Sequence, residues 1–368
     1  MGIPYKRIFR SVVLPIVFLS LVAPSIFAEF RDPLDVKAVA QADLLNKPLI
    51  GSASSGANTV VVGPRGLILY SDNAGKSWSQ AAVPVQSDLV AVHMISDSQG
   101  WAVGHDGVIL ATNDEGASWT KQLDGRSGGE LFTAYYEKLL NEGEEVESAL
   151  ELTELNFRDG PALPYLDVWF KNEQTGYVVG GFGNIAKTED GGKTWIPWAH
   201  RIDNDAGYHL NSVTGIGNDV FITSERGVIF RLDPETDYFE PIETGYSGSF
   251  IGTAGVAERV IAYGLQGTVF VSEDAGDTWT AVEELPASTI NDVAVLTADK
   301  TAVFANQAGE LVVGDMQNLK FKVIGSGETV NFTSVVQMSR DDLLVTSLQG
   351  MYRLSLADYS IIRITAEE

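Results

Sequence analysis

A glycine returns at a nearly fixed interval along most of this 368-residue chain. Successive separations are 41, 76, 44, 40, 42 and 41 residues, so one period is shared and one unit carries an insertion. Each glycine ends a short turn and precedes an apolar run. Periods of about 40 to 50 residues with four short strands per unit are typical of propeller blades. The aligned glycines are Gly66, Gly107, Gly183, Gly227, Gly267, Gly309 and Gly350.

The second unit shows the four strands most clearly. Its segments "DLVAVHMI", "WAVG", "VILAT" and "SWTKQ" are rich in β-branched and aromatic residues and are bounded by turn formers. Four strands repeated seven times predict an all-β fold, a seven-bladed β-propeller, over residues 46–368. The long interval predicts one partly helical insertion between blades two and three, at about residues 124–160.

The N-terminus is typical of an export signal. Three basic residues precede an apolar run that ends in small residues at Ala28, and a charged segment follows. We expect residues 1–28 to be a signal peptide cleaved after Ala28, which places the protein in the periplasm of a bacterium. A retained anchor is the alternative, because the run is nearly long enough to span a bilayer. Residues 29–45 are expected to form an N-terminal strap.

Four copies of one octapeptide pattern lie between the third and fourth strands of their units. They read "SDNAGKSW", "TNDEGASW", "TEDGGKTW" and "SEDAGDTW", and the pattern S/T-x-D-x-G-x-T/S-W is the Asp box. The acid can accept hydrogen bonds from turn amides, the glycine can take positive φ, and the tryptophan can pack between blades. We predict a structural role for Asn73, Trp78, Asp114, Trp119, Asp190, Trp195, Asp274 and Trp279.

Chain order predicts two different rims. The turn between strands two and three and the connection to the next blade share one rim, which we call the insertion rim because it carries the insertion. The Asp-box turns lie on the other, the box rim. The insertion spaces Leu131, Tyr135 and Leu139 as one helical face and ends in an acidic stretch. A helix or helical hairpin is expected there, either as a cap over the channel or as a partner-binding arm.

Several residues of the insertion rim are candidates for binding a protein partner. Two arginines stand at the same place in blades one and four, where they could hold a partner carboxylate. The alternative is that they are turn residues paired with neighbouring acids. The candidates are Arg65, His105, Asp106, Arg201, Arg226, Tyr135 and Leu139.

Composition excludes several kinds of function. The formal net charge of −24 argues against nucleic acid as a partner. The absence of cysteine excludes disulfides, thiol catalysis and cysteine-ligated metals. The segment "DNDAG" at Asp203 resembles the start of a calcium loop, but Thr214 stands where the twelfth-position glutamate is needed. The four histidines lack ligand spacing, and His93 is expected in the core or channel. We predict no metal, no cofactor and no catalytic residue.

An enzymatic alternative stays open. Sialidases share Asp boxes, but the F/Y-R-I-P motif of those enzymes is missing here. A carbohydrate-active enzyme would need a carboxylate pair on the insertion rim, and no pair stands out from the sequence. A module that binds a small molecule or a polysaccharide is a third possibility.

The Asp boxes, the "G-x-x-G-x-I/L" turns and the export signal together resemble the photosystem II stability/assembly factor family. The resemblance implies a non-enzymatic factor that holds a membrane subunit during assembly, with an arginine-rich patch on the propeller. Arg65 and Arg226 match such a patch, whereas the other blades carry Asp106, Phe182, Gln266, Ala308 and Gln349. The sequence has no cysteine that could carry a lipid anchor, and its first residues lack the Ser/Arg-rich character expected of a chloroplast transit peptide. We therefore expect a relative from a non-photosynthetic bacterium that serves an envelope membrane complex such as a transporter.

Overall fold

Seven four-stranded antiparallel sheets follow one another along the chain, and in each sheet the strands pair in chain order. They are seen in a computed structural model that describes residues 31–283, 285–296, 300–318, 320–325 and 327–365. The sheets form a ring in which the first strand of each blade packs beside the first strand of the next. The predicted seven-bladed propeller is confirmed. The predicted signal peptide, residues 1–28, lies outside the described residues.

The strands of the seven blades are numbered in chain order. Blade one holds β1 (Gly51–Ser55), β2 (Asn58–Val62), β3 (Ile68–Ser71) and β4 (Ser79–Gln80). Blade two holds β5 (Leu89–Met94), β6 (Gly100–Gly104), β7 (Ile109–Thr112) and β8 (Thr120–Leu123). Blade three holds β9 (Tyr165–Phe170), β10 (Gly176–Gly180), β11 (Ile185–Thr188) and β12 (Ile196–Pro197). Blade four holds β13 (Leu210–Ile216), β14 (Asp219–Ser224), β15 (Val228–Asp233) and β16 (Tyr238–Glu243).

The last three blades complete the ring. Blade five holds β17 (Phe250–Val256), β18 (Arg259–Gly264), β19 (Val269–Ser272) and β20 (Thr280–Ala281). Blade six holds β21 (Ile290–Leu296), β22 (Thr301–Asn306), β23 (Glu310–Asp315) and β24 (Lys320–Gly325). Blade seven holds β25 (Phe332–Gln337), β26 (Asp342–Ser347), β27 (Gly350–Ser355) and β28 (Ile361–Arg363).

The repeated glycine has a conformational cause. In blade one, Arg65 and Gly66 have φ of 58° and 71°, the two positive values of a type I′ hairpin turn. Glycine takes the second position without a Cβ penalty, and a Cβ on Gly66 would lie 2.1 Å from the Val85 carbonyl oxygen. Blades two to five repeat both positive φ values. The period of the glycines is therefore the period of this hairpin.

The core is divided among the blade interfaces. Seven clusters of buried apolar residues each join two neighbouring blades, including blades seven and one. Each blade is therefore stabilised by burial against its two neighbours.

The ring closes without a strand shared between its ends. Blade one takes all its strands from the N-terminal part and blade seven all its strands from the C-terminal part. The two meet where the Leu49 amide donates to the Ser347 carbonyl oxygen at 3.0 Å, and Ser52 Oγ and Ser334 Oγ lie 2.7 Å apart. Residues 32–46 run along the outside of blade one, with the Ala38 amide bonded to the Val83 carbonyl.

The insertion forms a helical hairpin, α1 (Gly125–Glu142) and α2 (Glu147–Phe157). Asp124 caps α1 by accepting from the Ser127 amide at 3.1 Å, and Gly143 ends it with φ of 92°. No helix among the described residues is both long and apolar enough to cross a bilayer.

Candidate partner-binding rim and channel mouth

On the box rim, the polar side chains of each Asp-box turn form hydrogen bonds with other residues of the same turn. Asp190 accepts from the Thr188 hydroxyl at 3.0 Å and from the Thr194 amide at 2.8 Å through Oδ1, and from the Thr194 hydroxyl at 2.7 Å through Oδ2. Partial burial opposes ionisation, but these bonds outweigh it and lower the pKa of Asp190. Asp114 and Asp274 repeat the arrangement. In blade one Asn73 replaces the acid and donates its amide to the Ser77 hydroxyl at 2.7 Å.

Each box tryptophan packs against the preceding blade. Trp119 and Trp195 are buried, and Trp78 and Trp279 are half-buried in the corresponding clusters. The indole nitrogens of Trp119 and Trp279 each donate at 3.0 Å to the carbonyl of the glycine in their own turn. These tryptophans therefore belong to the packing between blades, and the box turns leave little polar surface free to bind a ligand.

On the insertion rim, the hairpin is fastened to the propeller by an aromatic cluster. Tyr136 is fully buried, and its hydroxyl lies 3.3 Å from Nδ1 of His200 in the connection after β12. The His200 ring also packs edge-on against Trp198, with centroids 5.6 Å apart. Burial and the nearby Arg201 charge lower the pKa of His200 to about 4, so the ring is neutral at physiological pH. Burial raises the pKa of Tyr136.

The buried face of α1 differs by one residue from the predicted one. Phe132 and Tyr136 point into the propeller, whereas Leu131 of the predicted face is 56% exposed. Both series have the i, i+4 spacing of a helical face, and contact with residues 198–200 decides between them. Tyr135 and Leu139 are half-buried beside that cluster. Their contacts attach the hairpin, and partner binding by these two residues stays a prediction.

The second helix lies beside the hairpin turn of blade three. The Asn156 amide donates to the Phe182 carbonyl at 3.1 Å. Phe182 has φ of 53° and its amide donates to Nδ1 of His209 at 3.0 Å, with the two rings 4.5 Å apart. Its own ring is nonetheless 52% exposed. A phenylalanine held in the left-handed region and left half in water is an uncommon arrangement that favours a function at this position.

Exposed large apolar side chains are concentrated on the insertion rim. Nine occur among the described residues, and five belong to the hairpin or to turns between second and third strands, which is more than half of the total. Three of the five belong to the hairpin and to the blade-three turn beside it, and the other two belong to the turns of blades five and seven. A local group of exposed apolar side chains is typical of a contact surface. The five are Leu131, Leu155, Phe182, Leu265 and Leu348.

The predicted polar candidates do not form a single patch. Arg65 and Arg226 are both exposed, but they belong to blades one and four, which are not neighbours in the ring. Arg226 lies 5.9 Å from the Tyr208 ring centroid, and Arg201 lies 6.0 Å from that of Trp198. Asp106 accepts from the Ser87 hydroxyl at 2.7 Å. His105 is exposed near the start of α1.

The central channel opens on this rim through a mouth of about 570 Å³. Its wall is built from the starts of the first strands, where Asp167 of β9 and Asp292 of β21 stand at equivalent places in blades three and six. The Asp167 carboxylate accepts from the Val213 amide at 2.9 Å, and Asp292 accepts from the Val335 amide at 2.9 Å. Each carboxylate thereby connects its own blade to the next.

Burial acts on both channel acids. It raises the pKa of Asp167 to about 6, against the opposing effect of the Val213 amide, and the charge of Asp292 raises it further. Burial also raises the pKa of Asp292. His93, on the inner strand β5 as predicted, is also affected by burial, which lowers its pKa to about 4.

Sequence reasoning missed the channel acids and Phe182 as site residues. A signal for the acids was present, because "LDV" in blade three and "NDV" in blade six align once the first strands are superposed on the glycine period. An acid inside an otherwise apolar strand is rare enough to be noticed. Phe182 was visible as the bulky residue directly before an aligned glycine.

Known proteins similar to this chain are photosystem II assembly factors. Photosystem II stability/assembly factor HCF136 of rice, Oryza sativa subsp. japonica, is 25% identical over 139 residues, which is 36% of this chain and 33% of the rice protein. The photosystem II assembly lipoprotein Ycf48 of Synechococcus sp. strain CC9902 is 25% identical over 262 residues, 63% of this chain and 74% of that protein. A family profile described as photosynthesis system II assembly factor YCF48 matches residues 144–295. Over part of its length the chain is similar to photosystem II assembly factors. The resemblance predicted from the sequence is thus confirmed, although the chain spans only about a third of the rice protein.

Solved structures of YCF48 proteins share the fold of this chain. A structure of YCF48 bound to D1 peptide has a TM-score of 0.61 and 14% identity, and the match covers 91% of this chain and 98% of that one. YCF48 from Cyanidioschyzon merolae has a TM-score of 0.59 and 15% identity, over 86% and 97% of the two chains. At these identities the likeness establishes the propeller alone.

Proposed function

We propose that this chain is an exported, non-catalytic propeller that binds a protein partner through its insertion rim and helps to assemble or operate an envelope membrane complex. The observation that carries the proposal is the concentration of exposed apolar side chains on that rim. Leu155 and Phe182 come from α2 and the adjacent turn, and the channel mouth opens on the same side. Exposed apolar groups surrounded by polar side chains are typical of contact surfaces.

The similar proteins support this proposal. The matched relatives are named as assembly factors, and one solved structure is that of YCF48 bound to a D1 peptide. One relative is named a lipoprotein, which agrees with export. The host that we propose is a non-photosynthetic bacterium, so the partner is a membrane protein of its envelope, such as a transporter subunit, and photosystem II is not involved.

A hydrolase is not proposed, although the channel holds two carboxylates. Each is held by backbone amides of its own strand and of the next blade, as an inter-blade connection requires. Asp292 also accepts from the Ser334 hydroxyl at 2.6 Å. A nucleophile or a general acid would need a carboxyl group free to approach the scissile bond.

The test is affinity purification of the tagged chain from its native host after gentle solubilisation, read by mass spectrometry. The wild type is compared with a variant in which residues 126–158 are replaced by a short glycine-serine turn, and with Phe182→Asn. The matched control is Val323→Ser, because Val323 is 48% exposed on the outer strand of blade six, away from the insertion rim.

We expect one membrane protein to co-purify with the wild type and the control but not with the deletion variant. Phe182→Asn is expected to reduce its recovery at least tenfold, the effect of losing one contact residue worth more than about 1.4 kcal/mol. Thermal unfolding must show that both rim variants are folded. Equal recovery by the wild type and both folded rim variants would refute the proposal.

A further inference from the structure

Among the described residues, the channel that opens on the insertion rim is lined by two carboxylates, by hydroxyl and amide groups and by apolar side chains, and the Tyr263 hydroxyl donates to Asp292 at 3.4 Å. Asp167 and Asp292 line both its outer part, of about 570 Å³, and an inner part of about 320 Å³ toward the box rim. Of the described residues that line either part, none is lysine, arginine or histidine. Carboxylates removed from bulk water are costly unless a cation neutralises them.

Two asparagines add to the acceptor character of the mouth. Asn211 donates its amide to the Phe250 carbonyl at 2.8 Å, and Asn291 donates to the carbonyl of Phe332. Both amide nitrogens are therefore turned toward the next blade, and the amide oxygens are turned away from it. These two amide oxygens add acceptors beside the carboxylates at the mouth.

A hydroxyl in the inner part lacks a partner. Thr253 is 5% exposed, lines the inner channel beside the two acids, and its Oγ1 has no hydrogen-bond partner within the described part of the chain. Buried hydroxyls are nearly always hydrogen-bonded, so an unpaired one in a polar cavity points to a bound group. This observation is independent of the charges.

We propose that the channel binds an organic cation, an ammonium or guanidinium group, and that a lysine or arginine side chain of the partner supplies it. The second clause rests on the proposed function, and the first does not. Leu166, Ile251 and Leu348 line the mouth and would contact the aliphatic stem. The charged end would be attracted by the charges of Asp167 and Asp292, and this attraction does not require the amides that hold the carboxylates to be displaced. A long basic side chain has this combination of an apolar stem and a terminal donor.

The site is tested on the isolated mature protein with n-butylammonium, the lysine side-chain analogue. The γ-carboxyl carbons of aspartate are labelled with ¹³C, and their chemical shifts are followed at pH 7.5 during titration with n-butylammonium chloride, with n-butanol as the uncharged analogue and with calcium chloride. We expect saturable shifts for Asp167 and Asp292 with n-butylammonium and at least tenfold weaker binding of n-butanol. Equal binding of the two, or tighter binding of calcium, would overturn the proposal.

Variants locate the cation. Asp292→Asn removes one charge and Thr253→Val removes the unpaired hydroxyl at similar size. The matched control Glu173→Gln removes one charge from an exposed position on the box rim. We expect Asp292→Asn to weaken n-butylammonium binding at least tenfold, Thr253→Val to weaken it a few fold, and Glu173→Gln to leave it unchanged. If Asp292→Asn does not fold, Thr253→Val and the n-butanol comparison still decide. If both channel variants bind n-butylammonium with the same affinity as the wild type, the proposed site is refuted.

The outcomes separate this inference from the proposed function, because the titration needs no partner. Binding of n-butylammonium without capture of any membrane protein would leave the cation site standing and refute the proposed function. If Asp292→Asn captures the partner as well as the wild type does, and n-butylammonium does not bind, the cation site is refuted and the proposed function stands.

Discussion

The two rims of this propeller are built from the same strands, but they differ in which polar groups are hydrogen-bonded within the protein and which apolar side chains are left exposed. On the box rim, acids accept bonds from their own turns and tryptophans fill the grooves between blades. On the insertion rim, a helical hairpin is fastened by buried aromatics, yet apolar side chains project into water. The described residues that line the channel beside its two acids include no lysine, arginine or histidine. The difference indicates that the box rim stabilises the fold and that the insertion rim is available for binding.

The largest expected effect comes from a box tryptophan. Trp119 is 4% exposed in the cluster between blades one and two, so Trp119→Ala should lower the free energy of unfolding by about 3–5 kcal/mol through loss of burial and a cavity. Urea unfolding followed by circular dichroism measures it. Val323→Ala on an outer strand is the control and should cost below about 1 kcal/mol. A loss of similar size in both variants would contradict the structural role of the box rim.

The two rims should respond to pH in opposite directions. Burial raises the pKa of Asp167 to about 6 from the usual aspartate value of about 3.8. Between these values the folded state therefore binds more protons, and stability falls as pH rises from about 4 to 6, by at most about 3 kcal/mol. The box acid Asp274 has a pKa lowered to about 2 by the bonds from Thr278, so its contribution is lost only as pH falls below about 4.

Urea unfolding between about pH 2 and 7 checks this prediction, with the box acid observed below about pH 4 and the channel acid above it. Asp167→Asn should flatten the decline in stability between pH 4 and 6, because it removes the carboxyl group that releases its proton in that window. Glu173→Gln, on the exposed box rim, should leave the decline unchanged. If the free energy of unfolding of the wild type rises from pH 4 to 6, and that of Asp167→Asn rises by the same amount, then burial does not raise the pKa of Asp167 and the prediction is wrong.

Much of the fold could be predicted from the sequence because a local requirement repeats. The type I′ turn needs glycine at its second position in blades one to five, and blades six and seven keep a glycine with positive φ there, so Gly66 and its equivalents give the blade count directly. The orientation of α1 could not be predicted in this way. Leu131 and Phe132 both begin apolar series at helical spacing, and the choice depends on residues 198–200, which come from the connection after blade three, distant from α1 in sequence.

The candidate site was predicted less completely than the fold. The rim was identified from chain order, but the arginines on it lie in separated blades. The channel acids belong to strands far apart in sequence, and only closure of the ring places Asp167 and Asp292 around one cavity. Apart from the repeat, a single sequence does not indicate that these two acids line the same cavity.

A smaller effect is expected from the box acid. Asp190→Ala removes the acceptor of three hydrogen bonds and should cost about 1–2 kcal/mol. Asp190→Asn should cost less than half of that, because Asn73 already performs the role in blade one with its Oδ1 accepting from the Ser77 amide at 3.0 Å. Urea unfolding of the two variants measures the difference. Equal costs would mean that the charge, and not the turn hydrogen bonds, is what the box supplies.

The smallest effect on stability belongs to the residue expected to matter most for binding. Phe182 is half exposed and holds a left-handed conformation that asparagine adopts more readily. Phe182→Asn should therefore change the free energy of unfolding by less than about 0.5 kcal/mol while weakening capture of the partner. A residue that serves only the fold should show the reverse, a clear loss of stability with capture of the partner unchanged. We expect this of Trp119→Ala, whose folded molecules should still capture the partner. The free energy of unfolding and the recovery of the partner are measured for both variants. The box-rim variant should lose mainly stability, and the insertion-rim variant should lose mainly capture of the partner.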